Sequence, residues 1–170
     1  MSALGFSARA GFGGTLIGLV LIADQSSKIW VFSGLGLDRR GHIDLSPVFD
    51  LTLVWNRGVS FGLFQADGVW GRYGLAAFSV AVAVALGVWL VRANRMLTVL
   101  ALGLIIGGAV GNVIDRVRFG AVLDFLDFSG LYFPWVFNVA DAAITCGVAI
   151  LALDLWLAER AERENAAAAE

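Results

Sequence analysis

The chain has 170 residues, 59% of them hydrophobic and 15% charged, with a mean hydropathy of +0.80. A soluble domain of this length carries about 25% charged residues, so the composition excludes one and predicts a single integral membrane domain over 1–170. A net charge of −2 without a long basic run argues against a nucleic-acid partner, and one cysteine (Cys146) with one histidine (His42) excludes an internal disulfide, a typical zinc site and bis-histidine haem ligation.

Membrane-crossing helices need about 20 mainly apolar residues. The first candidate, 12–32, is apolar except for Asp24, Gln25, Ser26, Ser27 and Lys28. Arg9 ahead of this run is a weak signal-peptide feature. No small-residue cleavage site closes the run, so it is read as a retained helix. Asp24 and Lys28 stand at i and i+4 on one helix face, where they either pair as a structural ion pair or meet a substrate.

The connection that follows contains FDLTLVW (49–55), rich in β-formers and alternating in its middle, then the turn signal Asn56-Arg57-Gly58. It predicts a small β element at the membrane surface over about 42–68. Gly58-Val59-Ser60-Phe61-Gly62 matches the G-x-S-x-G elbow of serine hydrolases, but it lacks the α/β context and has only His42 as a base. Ser26 and Ser27 beside Lys28 are adjacent helical residues that do not face it, so a Ser–Lys pair is also set aside.

Two clean spans follow, 73–91 and 96–114, joined by the turn RANR (92–95). Gly103, Gly107 and Gly111 recur every four residues, a spacing that lets another helix approach closely. They lead to Asn112, Asp115 and Arg116 at one membrane surface, where Arg116 either binds a carbonyl or carboxylate or neutralises Asp115. A short loop then carries Gly120, Asp124 and Asp127, and the fourth span, 137–158, opens with Asn138 and Asp141. The tail ERAERENAAAAE is expected to fray in solvent.

The loop is short, so Asp124 and Asp141 lie on one side and can approach. Two facing carboxylates in a partly dry site share a proton and act as acid and base towards water. Equally, these acids cap helices or meet arginines, and Asp141 lies in a first turn that favours an anion anyway. Four spans put both termini on one side. Arg9, Arg92, Arg95, Arg160 and Arg163 then stand against Arg39, Arg40, Arg57, Arg72, Arg116 and Arg118, a distribution that selects no orientation. A small proton-coupled carrier using buried acids is the alternative to an enzyme.

Four blocks, ADQSSK (23–28), NRGVSFG (56–62), GGAVGNVIDR with FGAVLDF (107–116, 119–125) and FNVADAAI (137–144), occur in this order. With them the chain resembles lipoprotein signal peptidase, the membrane aspartyl peptidase also called signal peptidase II, from about Leu16 to Leu157. The resemblance implies a mainly α fold of four transmembrane helices with a small periplasmic β-cradle between helices 1 and 2. It implies a bacterial inner-membrane enzyme, a monomer among membrane lipids, with cytoplasmic termini and a periplasmic-face active site. The implied substrate is a diacylglyceryl-modified prolipoprotein cut just before the lipidated cysteine, and no cofactor or metal is implied. Asp124 and Asp141 fall on the family's catalytic aspartates. Asp24, Lys28, Asn56, Gly58, Asn112, Asp115, Arg116, Asn138 and Ala140 fall on its supporting or substrate-binding positions. Ser60 and Leu123 depart mildly from the usual small residue and Val, and Asp127 matches no motif position.

Overall fold

In the computed structural model, residues 6–58 and 68–168 are described. Among the described residues, four helices are long and apolar enough to cross a membrane. Helix α1 (Phe6–Ile29) runs into a π-helical turn, Trp30–Gly34, and after the short α2 (Leu37–Arg40) come strands β1 (His42–Ser46) and β2 (Phe49–Asn56). Then come α3 (Gly68–Arg92), α4 (Met96–Phe119), β3 (Val122–Asp127), β4 (Val136–Phe137) and α5 (Val139–Ala167).

Helix α4 is the axis of the bundle: 61% of its span is buried, against 17 to 22% of the other three. Its glycines explain how the neighbours come so close. A Cβ on Gly107 would stand 2.8 Å from the Val20 Cβ of α1, and one on Gly108 would stand 2.4 Å from the Ala140 carbonyl oxygen of α5. Small residues at such crossings let backbones approach where lipid offers no hydrophobic drive to associate. The predicted packing role of the four-residue glycine spacing therefore holds, with α1 as the partner of Gly103, Gly107 and Gly111.

The β element is larger than the first connection alone. Antiparallel strands lie in the order β1-β2-β3-β4, so both polar connections build one sheet. β2 pairs β3 with Val54 opposite Asp124, Trp55 opposite Leu123 and Asn56 opposite Val122. Asp124 thus stands on a strand, not in the expected loop. The run Val122-Leu123-Asp124-Phe125 alternates between faces, and pairing with β2 satisfies its backbone groups. On one face, Leu51 and Phe125 pack with Val31 and Leu37 into a small core beneath the sheet. Gly120, at φ 82°, ends α4 and turns the chain into β3, a left-handed conformation that glycine adopts at little cost.

Helix α5 continues through Ala167 rather than fraying where the apolar run stops. Its last turns carry i,i+4 pairs, Arg160–Glu164 at 2.8 Å and Arg163–Glu159 at 2.5 Å.

Candidate active site

Two layers of polar side chains meet where the sheet joins the helix ends. The first is centred on Lys28, 4% exposed. Its Nζ lies 2.9 Å from Asp24 Oδ2 and 2.7 Å from Asp115 Oδ2, while Gln25 Nε2 donates to both acids at 3.0 and 3.1 Å. The Asp24–Lys28 pair expected from their spacing is present. Asp115, however, is neutralised by Lys28 across the α1–α4 crossing, whereas Arg116 donates to the Gly58 carbonyl at 2.8 Å. Of the two readings of Arg116, the carbonyl contact is the one observed.

Each acid of this layer also holds a backbone amide. Asp24 Oδ1 accepts from Ala140 N at 3.0 Å, and Asp115 Oδ2 accepts from Leu123 N at 3.2 Å. Those two residues directly precede Asp141 and Asp124. A single ion-pair cluster therefore fixes the start of α5 and the middle of β3 relative to each other.

The second layer contains the two remaining acids. Asp124 Oδ1 accepts from Asn138 Nδ2 at 2.6 Å and Oδ2 from Asn56 Nδ2 at 3.0 Å. Asp141 Oδ1 accepts from Asn112 Nδ2 at 2.9 Å, and Asn138 Nδ2 reaches Asn112 Oδ1 at 3.3 Å. Asn138 is the N-cap of α5, its Oδ1 accepting from Asp141 N at 2.9 Å, which seats Asp141 in the first turn. The amides thus hold both carboxylates on one short network, buried to 1% exposure at Asp124 and 7% at Asp141.

Burial and then the charge of Asp141 push the Asp124 carboxyl up to about 7. The hydrogen bonds from Asn56 and Asn138 and the charge of Lys28 oppose that shift. A carboxyl so placed exchanges a proton near neutral pH, as an acid–base group must. Beside the site, an apolar cavity of about 230 Å³ runs between α3, α4 and α5, lined by Phe78, Ile105 and Ile144 and reaching Asn112 and Arg116. It offers an oily channel that ends at polar, carbonyl-binding groups.

Asp127 lies apart from both layers. It accepts from Thr52 Oγ1 at 2.5 Å and from Ser129 N at 2.9 Å, and these bonds hold its carboxyl below the usual range. His42 stands on β1, two strands from Asp124, with Nδ1 2.8 Å from Thr52 Oγ1 and Nε2 3.0 Å from Asp44. His42, Asp44 and Asp50 are close enough to ligate a cation, but they lie on β1 and at the start of β2, where Asp50 stands opposite Asp127 rather than Asp124. The G-x-S-x-G segment beyond Gly58, including Ser60, lies outside the described residues.

Two features escaped the sequence reading. Gln25, the neighbour of Asp24 within ADQSSK, bridges both acids of the first layer. At the opposite end of the bundle, Arg95 pairs with buried Asp154 at 2.7 Å, and Thr98 Oγ1 donates to the same carboxylate at 2.5 Å. An acid in an apolar span was visible, but its partner fifty-nine residues away was not.

The chain is similar to known proteins over most of its length. The family model described as signal peptidase (SPase) II matches residues 16–157. A lipoprotein signal peptidase of Caulobacter vibrioides is 49% identical over 142 residues, covering 83% of this chain and 84% of its own. One from Methylorubrum extorquens is 50% identical over 135 residues, covering 79% of each chain. A solved structure of a bacterial membrane enzyme, obtained by the in meso method at 2.3 Å, superposes with a TM-score of 0.72 at 25% identity, covering 86% of this chain and 88% of that one.

Proposed function

The chain belongs to the signal peptidase II family, and from that premise we propose that Asp124 and Asp141 are the catalytic pair of an aspartyl endopeptidase. The chain is a peptidase acting on prolipoprotein signal peptides, which sets the carrier alternative aside. In the proposed reaction the bond cut lies just before a diacylglyceryl-modified cysteine. The observation that carries the reading is the shared network: two buried carboxylates, bound by asparagine amides from three elements, with one carboxyl raised to about 7.

Near neutral pH the pair holds one proton. The ionised member takes a proton from a water held between them, and the resulting hydroxide adds to the scissile carbonyl carbon. The protonated member gives its proton to the departing nitrogen as the C–N bond breaks, and the pair is left holding one proton again. Which acid begins protonated belongs to the pair as a whole. Arg116 and the Asn112 and Asn138 amides face the substrate backbone as carbonyl and amide partners. The apolar cavity between α3, α4 and α5 takes the helical signal segment and its lipid chains.

In this reading the enzyme is a single membrane domain working as a monomer among inner-membrane lipids. Both termini are cytoplasmic and the sheet rests on the periplasmic face. The even number of candidate spanning helices supports the placement of both termini on one side.

The test is cleavage by the purified chain of a prolipoprotein with and without its diacylglyceryl group. The modified substrate should be cut, and mass spectrometry should find the lipidated cysteine at the new N-terminus. Equal cleavage of the unmodified form, or a cut at another bond, would overturn the substrate assignment.

A further inference from the structure

On a different stripe of α4 from the apolar cavity beside the acids, a second groove of about 370 Å³ lies between α1, α4 and the sheet. Ile29, Phe32, Trp55 and Phe119 line it. The Trp55 ring centroid lies 5.8 Å from that of Phe32 and 5.8 Å from that of Phe119, so the three rings form a continuous aromatic wall. Lys28 and Asp115 form its floor, already paired with each other. Arg118 stands at the rim with its guanidinium 5.0 Å from the Phe119 ring, and among the described residues no carboxylate pairs with it.

The groove's position narrows the choice of occupant. Lys28 and Ile29 close α1, and Arg118 and Phe119 close α4, so the rim sits at the end of two spanning helices, at headgroup level. Trp and other amphipathic rings concentrate at that depth. Below the rim, Ile22 and Ile29 are 66% and 59% exposed and seven residues apart, which puts them on one stripe of α1 facing lipid. A guanidinium with no carboxylate partner among the described residues, above an aromatic wall continued by an exposed aliphatic stripe, matches an anionic headgroup joined to acyl chains. The guanidinium fork fits two oxygens of a phosphate diester.

We propose that this groove is a binding site for one anionic phospholipid, its phosphate on Arg118 and an acyl chain along Ile29 and Ile22. A zwitterionic lipid carries its own cation beside the phosphate and gains less from Arg118. The site is separate from the peptidase carboxylates, so the occupant is a resident lipid rather than substrate.

Native mass spectrometry of the full chain, equilibrated in micelles with palmitoyl-oleoyl phosphatidylglycerol or phosphatidylcholine, tests this. The parent should retain one phosphatidylglycerol in preference to phosphatidylcholine, and Arg118→Gln should reduce that preference about fivefold, the worth of one arginine near an anionic headgroup. Arg160→Gln, on an exposed turn of α5 far from the groove, should leave it unchanged. Because Arg118 is exposed and outside the catalytic network, Arg118→Gln should cleave prolipoprotein like the parent, which verifies its fold. Equal retention of both lipids by the parent, or an unaltered preference in Arg118→Gln, would overturn the site. So would a loss in Arg160→Gln as large as that in Arg118→Gln.

Discussion

Two pairs of buried acids lie within one polar network, and they differ in what compensates them. Asp24 and Asp115 share a lysine at 2.9 and 2.7 Å, and each also accepts from a backbone amide. Asp124 and Asp141 receive hydrogen bonds from asparagine amides, with the buried Arg116 guanidinium near enough for its charge to act on both. The first pair holds structure. In the second, burial and the charge of Asp141 push the Asp124 carboxyl up to about 7, against the asparagine bonds and the charge of Lys28. Burial as such therefore does not distinguish a catalytic acid from a supporting one; the partner does.

The comparison breaks most sharply at the second pair. Asp124→Asn and Asp141→Asn should each insert and fold but lose cleavage by at least about 1,000-fold, as expected when one member of a concerted acid–base unit is removed. Initial rates with lipidated substrate check this, and near-parental turnover in either variant would remove it from the mechanism.

At the first pair the loss should appear as stability. Asp24→Ala leaves Lys28 with one fewer partner and Ala140 N uncapped. Breaking such a buried pair costs about 3–5 kcal/mol. Yield and thermal melting in detergent should fall together, whereas a stable Asp24→Ala protein with no activity would move Asp24 into the chemistry.

Asn56→Ala removes one bond that opposes the rise of the Asp124 carboxyl. Its alkaline activity limb should move to higher pH, with a rate loss of about 10- to 100-fold, as when a partner that orients a functional group is removed. An unshifted limb would mean that Asn56 acts elsewhere.

Stability should also depend on pH. Folded Asp124 titrates near 7 against 3.8 for the ordinary carboxyl, so the native state binds this proton more tightly than the unfolded chain does. This group's contribution therefore falls as pH rises from about 4 to about 7, and Asp124→Asn should flatten that part of the melting profile. The smallest effect belongs to Asp127→Asn, which alters a hydrogen bond to Thr52 at the sheet. It should cleave within about twofold of the parent, as substitutions away from buried networks usually do.

What was legible in the sequence follows the range of the interactions involved. The spans are runs of apolar residues, and Asp24–Lys28 is an i,i+4 pair, so both could be read locally. Strand β3 could not, because six residues become a strand only when β2, some seventy positions earlier, pairs with them. Asp115 faced Arg116 in sequence, yet its partner is Lys28, eighty-seven positions away and brought in by the glycine-lined crossing of α1 and α4. The family motifs marked the supporting residues. Only the fold reveals that Asp24 and Asp115 grip the residues just before Asp141 and Asp124.

The central claim is that Asp124 and Asp141 work as a pair holding one proton. The pH dependence of kcat/KM, measured with lipidated prolipoprotein from pH 5 to 9, reports the ionisations of the free enzyme. The pair predicts a bell whose alkaline limb begins at about 7, where the pair loses its shared proton. A profile that stays flat to pH 9 would contradict it.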